Sequence, residues 1–570
     1  MSLRKRRFAL TLVSTVSLAA CGGGGGDSTP TPLAQTPLTC QQLVGMSVPA
    51  SEIVLPTSGA AVTAATTVAA AGSGATAVPE HCLVTAAIAP VDPTAPKIMF
   101  KLALPTAWNN KALMLGGGGF DGTIPNVVGN ISNGPTDKPL PVARGYAVFA
   151  SDSGHQANAL GSLDGAFGLN DEALRNWGGD ALKKTRDAAM FLIKKRYAAA
   201  PAKSFFAGGS TGGRESLSQI QRWPNDWDGA IAWYPAWNQA SAMLGGQKGS
   251  VTLSKPGAYP NGAKRLALFQ AAMQACDALD GVTDGLVSNQ SKCNATFDPA
   301  TATLNGAPLR CAGGADTGDN CLSDVQIAAL KAINAPVKFG FALASGETGY
   351  PGYNVWGSDL GIPSINTAIE PTVTFLNFGS SAPANPMPTT APYISRQLDQ
   401  VLKTMIARDA NFDSLTFDPT TAVPANLASR FSDLSRMIDD STDISAFVNR
   451  GGKLLLAHGL SDVLVSTRAT ADYYSRLVRQ FGQLNVDNFA RYYEIAGLGH
   501  AVSSQFNATW DSLAALEAWA EKGTAPSGQV TTDTVGVPGR TRPLCDYPKW
   551  VKYKGTGDVN QASSYTCVAE

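Results

Sequence analysis

A Gly-x-Ser-x-Gly pattern at Gly208–Gly212 is the part of the sequence most able to do chemistry, since it places Ser210 between an apolar run and a helix-like stretch. A serine attacks an acyl group well only when a sharp turn holds it near a base and near backbone N–H donors. Glycines on both sides give such a turn its room and its unusual dihedral angles. We therefore interpret Ser210 as a nucleophile. The alternative is a glycine-rich turn between a strand and a helix, with a serine that has no chemical role.

A base for Ser210 has to come from four histidines, unless a lysine replaces it. His500 ends the segment Gly497–His500, which comes just after the apolar run Tyr492–Ile495, so it lies on a loop at the end of a predicted strand. This position favours His500 as the base. The other three histidines, which we interpret as structural residues, are His81, His155 and His458.

The acid of a triad should follow another strand and precede the histidine, because α/β hydrolases carry Ser, Asp or Glu, and His in that order. Asp462 meets this condition, since the run Leu454–Ala457 leads into its loop. Asp462 could instead be only a turn former, but its position between this strand and His500 favours the triad. In the predicted mechanism Asp462 orients His500, which takes the proton of Ser210. Water then hydrolyses the acyl-enzyme.

The oxyanion of such a reaction needs at least two backbone donors, each worth roughly 3 to 4 kcal/mol in measured enzymes. One is predicted to be the N–H of Thr211, the residue after the nucleophile. The other is predicted at Gly117, within the run Gly116–Gly119 that follows the strand-like segment Ala112–Leu115. A phosphate-binding loop is the alternative for these glycines, but no Gly-Lys-Ser/Thr sequence follows them.

Short apolar runs that alternate with helical stretches must position these residues, and this alternation predicts a parallel sheet in an α/β fold. The runs are Ile98–Leu104, Ala112–Leu115, Tyr146–Ala150, Phe205–Ala207, Lys453–Ala457 and Arg491–Ile495. Asp180–Lys195 is predicted as a helix. The rhythm stops after Ser210 and resumes at Lys453, which predicts an α/β-hydrolase core with a large inserted lid domain. The predicted divisions are a signal peptide (1–20), a lipid-anchored flexible linker (21–38), the first part of the core (39–239), the lid (240–440) and the second part of the core (441–570).

Charge and composition exclude some classes of function. Lys plus Arg and Asp plus Glu both number 44, and 15% of the 570 residues are charged, against about 25% in average globular proteins. Nothing in this balance indicates nucleic-acid binding.

The basic residues 4–7, the apolar stretch 8–20 and Cys21 resemble a secretory signal that ends in a bacterial lipobox. We expect an exported protein that a lipid on Cys21 anchors in the outer membrane or periplasm. The alternative is an ordinary signal, a chance cysteine and secretion.

Eight cysteines remain once Cys21 is taken as the lipid anchor, and an even number in an exported protein predicts disulfides. Eight cysteines allow 105 connectivities. Proximity in sequence suggests the pairs Cys276–Cys293, Cys311–Cys321 and Cys545–Cys567, which leaves Cys40 for Cys82. The sequence contains no Cys-x-x-Cys pair, so a zinc site is not expected.

Several motifs together resemble the tannase and feruloyl esterase family, which includes the mono(hydroxyethyl) terephthalate hydrolases, over nearly the whole mature chain. The motifs are Val78–Cys82, the Ser210 elbow with Gly213–Glu215, Cys276–Gly281, Arg542–Cys545 and Tyr553–Gly555. The resemblance implies an α/β-hydrolase core, a large lid over the active site and hydrolysis of esters of aromatic acids.

The resemblance also gives a role to the segment Asp277–Leu286, through which family members bind calcium in the lid. Carried over position by position, the ligands are the carboxylates of Asp277, Asp280 and Asp284 and the backbone carbonyls of Val282 and Leu286. Oxygen ligands suit calcium, and the glycines of the segment allow a tight wrap. We expect a structural Ca²⁺ and no organic cofactor. Without the resemblance, the segment reads only as an Asp/Gly-rich turn.

The sequence departs from the family pattern in two places. The family has cysteines just before the nucleophile and just after the catalytic histidine, joined as a disulfide, whereas Gly209 and Ala501 occupy these positions here. We therefore expect an intact triad that packing alone holds in place. Terephthalate monoester hydrolases also carry an arginine for the substrate carboxylate, and the sequence assigns no arginine of residues 360–410 to that role.

The residues support three hypotheses of function. The leading one is an exported serine esterase that acts on small aromatic esters of the hydroxycinnamate or gallate type. The second is hydrolysis of terephthalate monoesters or polyester fragments, which the unassigned arginine disfavours. The third is a noncatalytic surface binding protein on a hydrolase fold, which the presence of Ser210, Asp462 and His500 disfavours.

Overall fold

The strand-like runs of the sequence form one ten-stranded mixed sheet. The structure, a computed structural model, describes residues 36–363 and 365–569. Eight strands of the sheet come first in the chain: β1 (Ser47–Val48), β2 (Ala60–Val68), β3 (His81–Ile88), β4 (Ile98–Pro105), β5 (Lys111–Leu115), β6 (Ala147–Ser151), β7 (Lys203–Gly209) and β8 (Gly229–Trp233). Three helices lie among them: α1 (Asp171–Arg175), α2 (Ala181–Tyr197) and α3 (Thr211–Arg222).

Helices dominate the segment that follows β8. They are α4 (Gln239–Leu253), α5 (Gly262–Cys276), α6 (Gln290–Thr296), α7 (Asp324–Asn334), α8 (Glu370–Leu376), α9 (Tyr393–Gln400) and α10 (Ala425–Ile438). Two short antiparallel pairs accompany them: β9 (Thr303–Leu304) with β10 (Ala307–Pro308), and β11 (Val337–Lys338) with β12 (Gly349–Tyr350). None of the described residues between 234 and 452 adds a strand to the large sheet.

The large sheet resumes with β13 (Lys453–Gly459) and β14 (Ala490–Ile495). The helices of this part are α11 (Ser445–Asn449), α12 (Thr467–Phe481), α13 (Gln483–Val486) and α14 (Ser512–Lys522). The tail adds one small sheet of β15 (Ala508–Thr509), β16 (Val530–Asp533) and β17 (Thr541–Pro543), and a second of β18 (Trp550–Tyr553) and β19 (Tyr565–Val568).

The strands of the large sheet run in the order β1-β2-β3-β4-β6-β5-β7-β8-β13-β14. Neighbours from β6 to β14 are parallel, and those from β1 to β6 are antiparallel. Parallel strands are covered on both faces and so consist of continuous apolar runs. Every residue of β6 and of β8 is accordingly buried. Apolar residues of α2 and α3 pack in one core and those of α14 in another, which places helices on both faces of the sheet. The predicted α/β fold is confirmed.

The predicted strands agree with the observed ones to within two residues at each end, and the predicted helix Asp180–Lys195 is α2. The sequence did not predict β1, β2, β3 and β8 of the large sheet. The strand β2 consists only of Ala, Val and Thr, and its alternation of buried and exposed positions is interrupted near Val62–Ala64, where the register with β3 shifts. Small side chains of this kind give a weak strand signal without the antiparallel neighbours that pair with them.

The predicted signal peptide, most of the predicted linker and Cys21 lie outside the described residues. Residues Pro37–Glu570 cluster as one compact unit, so the boundaries at 239 and 440 stay predictions. No helix in the described part of the chain is long and apolar enough to span a membrane. The structure contains the four disulfides that proximity in sequence suggests, which are Cys40–Cys82, Cys276–Cys293, Cys311–Cys321 and Cys545–Cys567.

Candidate active site

The carboxyl ends of three parallel strands bring Ser210, Asp462 and His500 into contact. Ser210 follows β7, Asp462 lies on the loop after β13 and His500 on the loop after β14. The Nε2 atom of His500 lies 2.8 Å from Ser210 Oγ, and its Nδ1 atom lies 2.7 Å from Asp462 Oδ2. The three side chains therefore form the chain of hydrogen bonds that a nucleophile, its base and an orienting acid require.

Ser210 lies on a turn whose strained backbone conformation is stabilised by hydrogen bonds from neighbouring segments. Its φ of 61° and ψ of −124° fall where residues other than glycine are rarely found. The N–H of Ser210 donates to the Trp233 carbonyl at 3.0 Å, and its own carbonyl accepts the N–H of Ala236 at 3.2 Å. Positive φ angles recur in the same region at Asp121, Ser153, Tyr234 and Ala501. Backbone strain of this kind concentrates at functional sites.

Asp462 is fully buried, and its hydrogen bonds favour the ionised carboxylate. Its Oδ1 atom accepts the N–H groups of Leu464 at 2.9 Å and Val465 at 2.8 Å. Burial by itself would raise the pKa of Asp462. The charges and hydrogen bonds of His500 and His458 outweigh this effect, so the pKa lies below its ordinary value. An ionised carboxylate beside Nδ1 of His500 keeps that atom protonated and leaves Nε2 free to accept the serine proton.

His458 shares the acid with His500. Its Nε2 atom lies 3.1 Å from Asp462 Oδ2 and 3.1 Å from the Val465 carbonyl oxygen, and its Nδ1 atom lies 2.8 Å from Thr470 Oγ1. A carbonyl only accepts, so we assign the ring proton to Nε2, and Thr470 donates to Nδ1. His458 thus fixes the loop of the acid, in keeping with the structural role inferred from the sequence.

The other two histidines do not contact this chain of hydrogen bonds. His155 stacks on Phe167 with ring centroids 4.1 Å apart, and burial lowers the pKa of His155 to about 4. The Nδ1 atom of His81 lies 2.8 Å from the Pro79 carbonyl oxygen. Both rings are buried, and none of these contacts involves Ser210. These positions agree with the structural roles inferred from the sequence.

The loop after β5 is bound to the first turn of α3. The N–H of Gly212 donates to the Gly117 carbonyl at 3.2 Å, and the Thr211 hydroxyl donates to the Gly119 carbonyl at 2.7 Å. The N–H of Gly117, which the sequence suggested as an oxyanion donor, donates to Glu215 Oε2 at 3.2 Å. An N–H that is turned toward Glu215 cannot also serve an oxyanion at the serine.

At this edge the N–H groups of Gly118, Gly119 and Thr211 have no hydrogen-bond partner among the described residues. A Cβ on Gly119 would lie 2.5 Å from the Tyr393 hydroxyl and 2.6 Å from the Ser162 carbonyl oxygen, so Gly119 is enclosed by its neighbours. A Cβ on Gly118 would meet no atom within 4 Å, so this residue faces open space. Thr211 is the first residue of α3, where the helix dipole favours negative charge. Gly118 therefore replaces Gly117 as the candidate donor beside Thr211. Four consecutive glycines look alike in sequence, and only the contacts behind the loop distinguish them.

Tyr234 packs beside Gly209 and beside the ring of His500. A Cβ on Gly209 would lie 2.6 Å from the Tyr234 hydroxyl and 2.7 Å from two of its ring carbons. The same ring meets the ring of His500 edge to face, with centroids 4.9 Å apart. Tyr234 is buried and has a φ of 33°. Tyr234 therefore contacts both the residue before Ser210 and the histidine.

Side chains of α8 and α9 stand beside the loop of glycines. A Cβ on Gly119 would come within 2.5 Å of the Tyr393 hydroxyl, which lies 3.1 Å from Ser162 Oγ. Phe375 packs edge to face on Tyr393 at 5.2 Å, and the Arg396 guanidinium lies over Phe375 at 5.5 Å. Within the described residues Arg396 has no ion pair, and burial lowers its pKa. The sequence assigned no arginine to the site because the docking of α9 against the loop is a tertiary contact.

The segment predicted to bind calcium forms a tight turn in which two carboxylates already have protein partners. Asp277 Oδ1 accepts the N–H groups of Asp284 at 3.1 Å and Gly285 at 3.2 Å. Asp284 Oδ2 accepts from Arg542 and from the Tyr565 hydroxyl at 2.9 Å. Within residues 36–363 and 365–569, no three His, Cys, Asp or Glu side chains are grouped so that they could hold a metal ion.

Asp280 differs from these two residues. Its Oδ2 atom is buried and has no hydrogen-bond partner within the described chain. Burial raises the pKa of Asp280 to about 6, and the negative charges of Asp284 and Asp277 act in the same direction. Val282 and Leu286, the predicted carbonyl ligands, lie in the same turn, and the N–H of Val282 donates to Asp280 Oδ1 at 3.2 Å.

A mixed sheet with a Ser-His-Asp arrangement at the carboxyl edge of its parallel strands is the structure of the α/β-hydrolase esterases. The sequence profile of the tannase and feruloyl esterase family matches residues 82–568, and the chain belongs to this family. It is 37% identical over 541 residues to an uncharacterized esterase of Agrobacterium fabrum, a match that covers 93% of this chain and 92% of that protein. It is 33% identical over 552 residues to the mono(2-hydroxyethyl) terephthalate hydrolase of Piscinibacter sakaiensis, covering 88% of this chain and 86% of that enzyme.

Solved structures share the fold. Feruloyl esterase B from Aspergillus oryzae aligns with a TM-score of 0.70 at 20% identity, over 89% of this chain and 97% of that one. Tannin acyl hydrolase from Aspergillus niger aligns with a TM-score of 0.61 at 20% identity, over 89% and 90% of the two chains. Family and relatives together identify the protein as a carboxylic ester hydrolase. They do not support the alternative of a noncatalytic binding protein.

Proposed function

We propose that the protein is an exported serine esterase that hydrolyses small aromatic esters through an acyl-enzyme on Ser210. The position of His500 is the main support for this proposal: its Nε2 atom lies 2.8 Å from Ser210 Oγ, and its Nδ1 atom lies 2.7 Å from Asp462 Oδ2. His500 takes the hydroxyl proton as Ser210 attacks the ester carbonyl, and gives it to the leaving alcohol. The same imidazole then activates the water that releases the acid.

The negative oxygen of each tetrahedral intermediate would be bound by the N–H groups of Thr211 and Gly118. Both groups lack another partner among the described residues, and both lie on segments that contact each other around Ser210. Fixed donors of this kind act on charge that develops only in the transition state, and removing one lowers kcat by about 10²- to 10³-fold in measured enzymes.

We also propose that this site works without a disulfide between positions 209 and 501. Packing supports this proposal, since Tyr234 fills the space beside Gly209 and contacts the ring of His500. Ala501 also supports it, since its positive φ of 63° is a conformation that a residue other than glycine keeps only where the surrounding structure holds it.

Aromatic esters of the hydroxycinnamate or gallate type are the proposed substrates. The similar proteins bear the names feruloyl esterase, tannin acyl hydrolase and mono(2-hydroxyethyl) terephthalate hydrolase, which favours an aromatic acyl group. Phe375 and Tyr393 offer rings beside the glycine loop against which such a group could pack.

Hydrolysis of terephthalate monoesters is a second candidate, and Arg396 favours it. Its guanidinium stacks on Phe375 and has no acidic partner within the described chain. A carboxylate on the far side of an aromatic acyl group would supply that partner, and arginine binds carboxylates in a bidentate manner.

Export and calcium binding belong to the same proposal. Residues 1–20 would serve as the signal peptide and Cys21 as the lipid anchor, which the sequence pattern alone supports. For calcium, the orphan oxygen of Asp280 fits a cation, whereas Asp284 would first have to leave Arg542. The ligands would be Asp277, Asp280, Asp284 and the carbonyls of Val282 and Leu286. The ion would supply structural stability, and no step of the hydrolysis uses it.

Hydrolysis of a short p-nitrophenyl ester by the wild type and by Ser210→Ala tests the mechanism. We expect the variant to lose the activity and to lose labelling by a fluorophosphonate probe, while its thermal unfolding is unchanged. Equal rates in the two proteins would refute the serine mechanism. A panel of methyl ferulate, methyl gallate and mono(2-hydroxyethyl) terephthalate would then rank the substrates.

A further inference from the structure

Two carboxyl groups lie side by side behind the glycine loop, Gly116–Gly119, and have no part in the proposed hydrolysis. Glu215 on α3 is fully buried, and Asp121, just after the loop, is 2% exposed. The Ser153 hydroxyl lies 2.8 Å from Asp121 Oδ2 and 3.3 Å from Glu215 Oε1. One hydroxyl proton cannot serve both carboxyls at once, and the buried Oδ1 atom of Asp121 has no hydrogen-bond partner among the described residues, so a proton between the two carboxyls would satisfy the pair.

Few charges face this pair. Arg214 is the cation beside it, but its guanidinium donates to two backbone carbonyls at 3.2 Å rather than to either carboxyl. Tyr393 faces Asp121 from α9. Burial and the negative charge of Glu215 raise the pKa of Asp121 well above its usual value. Burial also raises the pKa of Glu215, against the opposing charge of Arg214. These effects favour a protonated Asp121 and an anionic Glu215.

The pair fixes the glycine loop from behind. Glu215 Oε2 accepts the Gly117 N–H at 3.2 Å. A Cβ on Gly117 would lie 2.2 Å from Asp121 Oδ2, and one on Gly116 would lie 2.8 Å from Glu215 Oε2. A Cβ on Gly118 would meet nothing within 4 Å. The two carboxyls therefore fill the space behind the first two glycines and leave the third on the open side.

We propose that Asp121 and Glu215 share one proton and together position the oxyanion loop, so that the Gly118 N–H faces the reacting carbonyl. The inference rests on the proposed esterase mechanism of Ser210. Both carboxyls are positioning residues, because they act through Gly117 and do not touch the substrate. Loss of the shared proton would put two negative charges next to each other in a buried site, and their repulsion would displace Glu215 from Gly117.

Infrared spectroscopy tests for the shared proton directly. We expect the spectrum of the wild type minus that of Asp121→Asn, recorded above neutral pH, to show the carbonyl stretch of one protonated carboxylic acid. Glu172→Gln is the matched control, since Glu172 is a buried carboxylate that accepts the N–H groups of Val91 and Asp92. The control should leave the band in place. A difference spectrum without the band would overturn the shared proton.

Steady-state kinetics test the positioning role. Asp121→Ala is expected to lower kcat by about tenfold or more with little change in KM, because oxyanion donors act mainly on the transition state. Asp121→Asn is expected to retain most of the wild-type kcat, since its amide can donate to Glu215 as the protonated acid does. The control Glu172→Gln should also retain it. A folded Asp121→Ala variant with wild-type kcat would refute the positioning role, and if this variant does not fold, the infrared measurement on Asp121→Asn decides.

Fluorophosphonate labelling separates this inference from the function on which it rests. A wild type that is neither labelled at Ser210 nor active on esters would overturn the esterase mechanism itself. A labelled and active wild type together with an unimpaired Asp121→Ala would overturn only the role of the carboxyl pair.

Discussion

The ring of Tyr234 lies where a side chain at position 209 would have to be: a Cβ on Gly209 would come within 2.6 Å of the Tyr234 hydroxyl. The same ring packs edge to face on His500 at 4.9 Å. Protein interiors have little free volume, so contacts this close leave no room even for a methyl group. Tyr234 thereby links the turn of Ser210 to the loop of His500 without a covalent bond.

Gly209→Ala is expected to lower kcat by about tenfold or more and the free energy of unfolding by about 1–3 kcal/mol, because the added methyl displaces the Tyr234 ring. Kinetics on a p-nitrophenyl ester and urea unfolding check the two effects. Gly249→Ala on α4 is the control, since a Cβ there would meet only Ile333, at an ordinary 3.7 Å. The control should keep its activity and be equally or more stable. An active, stable Gly209→Ala would contradict the packing role of Tyr234.

Asp462→Asn is expected to lower kcat by about 10⁴-fold, the effect of the same change in a serine protease triad, because the amide no longer favours the correct tautomer of the base. His458→Gln should cause a far smaller loss. His458 shares the Asp462 carboxylate, but only His500 reaches the serine, at 2.8 Å. Comparing the two kcat values at saturating ester, with folding checked by circular dichroism, tests this ranking. Equal losses would mean that the roles of the two histidines are assigned incorrectly.

Glu494 should make stability depend on pH. Burial raises the pKa of Glu494 from 4.5 to about 7, against the hydrogen bond from the Tyr492 hydroxyl. Between these two values the folded state binds more protons than the unfolded state, so the free energy of unfolding falls as the pH rises. Glu494→Gln stays uncharged and should make this fall smaller, because it removes the contribution of Glu494. Glu52→Gln, at an exposed site, should leave the fall unchanged. Urea unfolding across this pH range is the measurement, and parallel curves for wild type and Glu494→Gln would be the contrary result.

Removal of calcium is expected to lower the melting temperature of the wild type by several degrees. An ion that binds only the folded state raises the free energy of unfolding, by about 2.7 kcal/mol when the free ion concentration is 100 times its Kd. Thermal unfolding with and without a chelator, together with the metal content of the protein, measures this. Asp280→Asn should abolish the response, because it removes the carboxylate with the unpartnered oxygen. Asp298→Asn, in which a carboxylate that pairs with Lys331 is changed, should preserve it. A metal-free wild type that does not respond to the chelator would refute the calcium site.

Arg396→Gln separates the two substrate classes. If Arg396 binds a substrate carboxylate, its loss should lower kcat/KM for mono(2-hydroxyethyl) terephthalate by about 10- to 100-fold, the value of a hydrogen bond to a charged group. The kcat/KM for methyl gallate, which has no such carboxylate, should change little. Arg408→Gln is the control, because Arg408 pairs with Asp171 instead. Equal effects of Arg396→Gln on both esters would remove the reason to favour terephthalate monoesters.

Local patterns predicted all parallel strands except β8, and three of the disulfide pairs, because each depends on residues that are close in sequence. The fourth pair, Cys40–Cys82, followed by elimination. The strand β2 was missed because its small side chains become informative only when β1 and β3 pair with it. The order of Ser210, Asp462 and His500 was also readable, since all three follow apolar runs and the fold places such loops at one edge of the sheet.

The tertiary structure decided what lies around these three residues. Four adjacent glycines are equivalent in sequence. The contact of Glu215 with Gly117 removes that N–H from the candidates, and the open space at Gly118, in contrast to the enclosed Gly119, favours Gly118 as the donor. The contacts of Tyr234 with Gly209 and of Arg396 with Phe375 likewise join residues from different elements. A periodic pattern records which residues are apolar along one segment, whereas the direction of an N–H group or a ring is set by whatever distant segment packs against it. The sequence by itself therefore determined the reacting groups and their order, and the packing of distant segments determined how they are held.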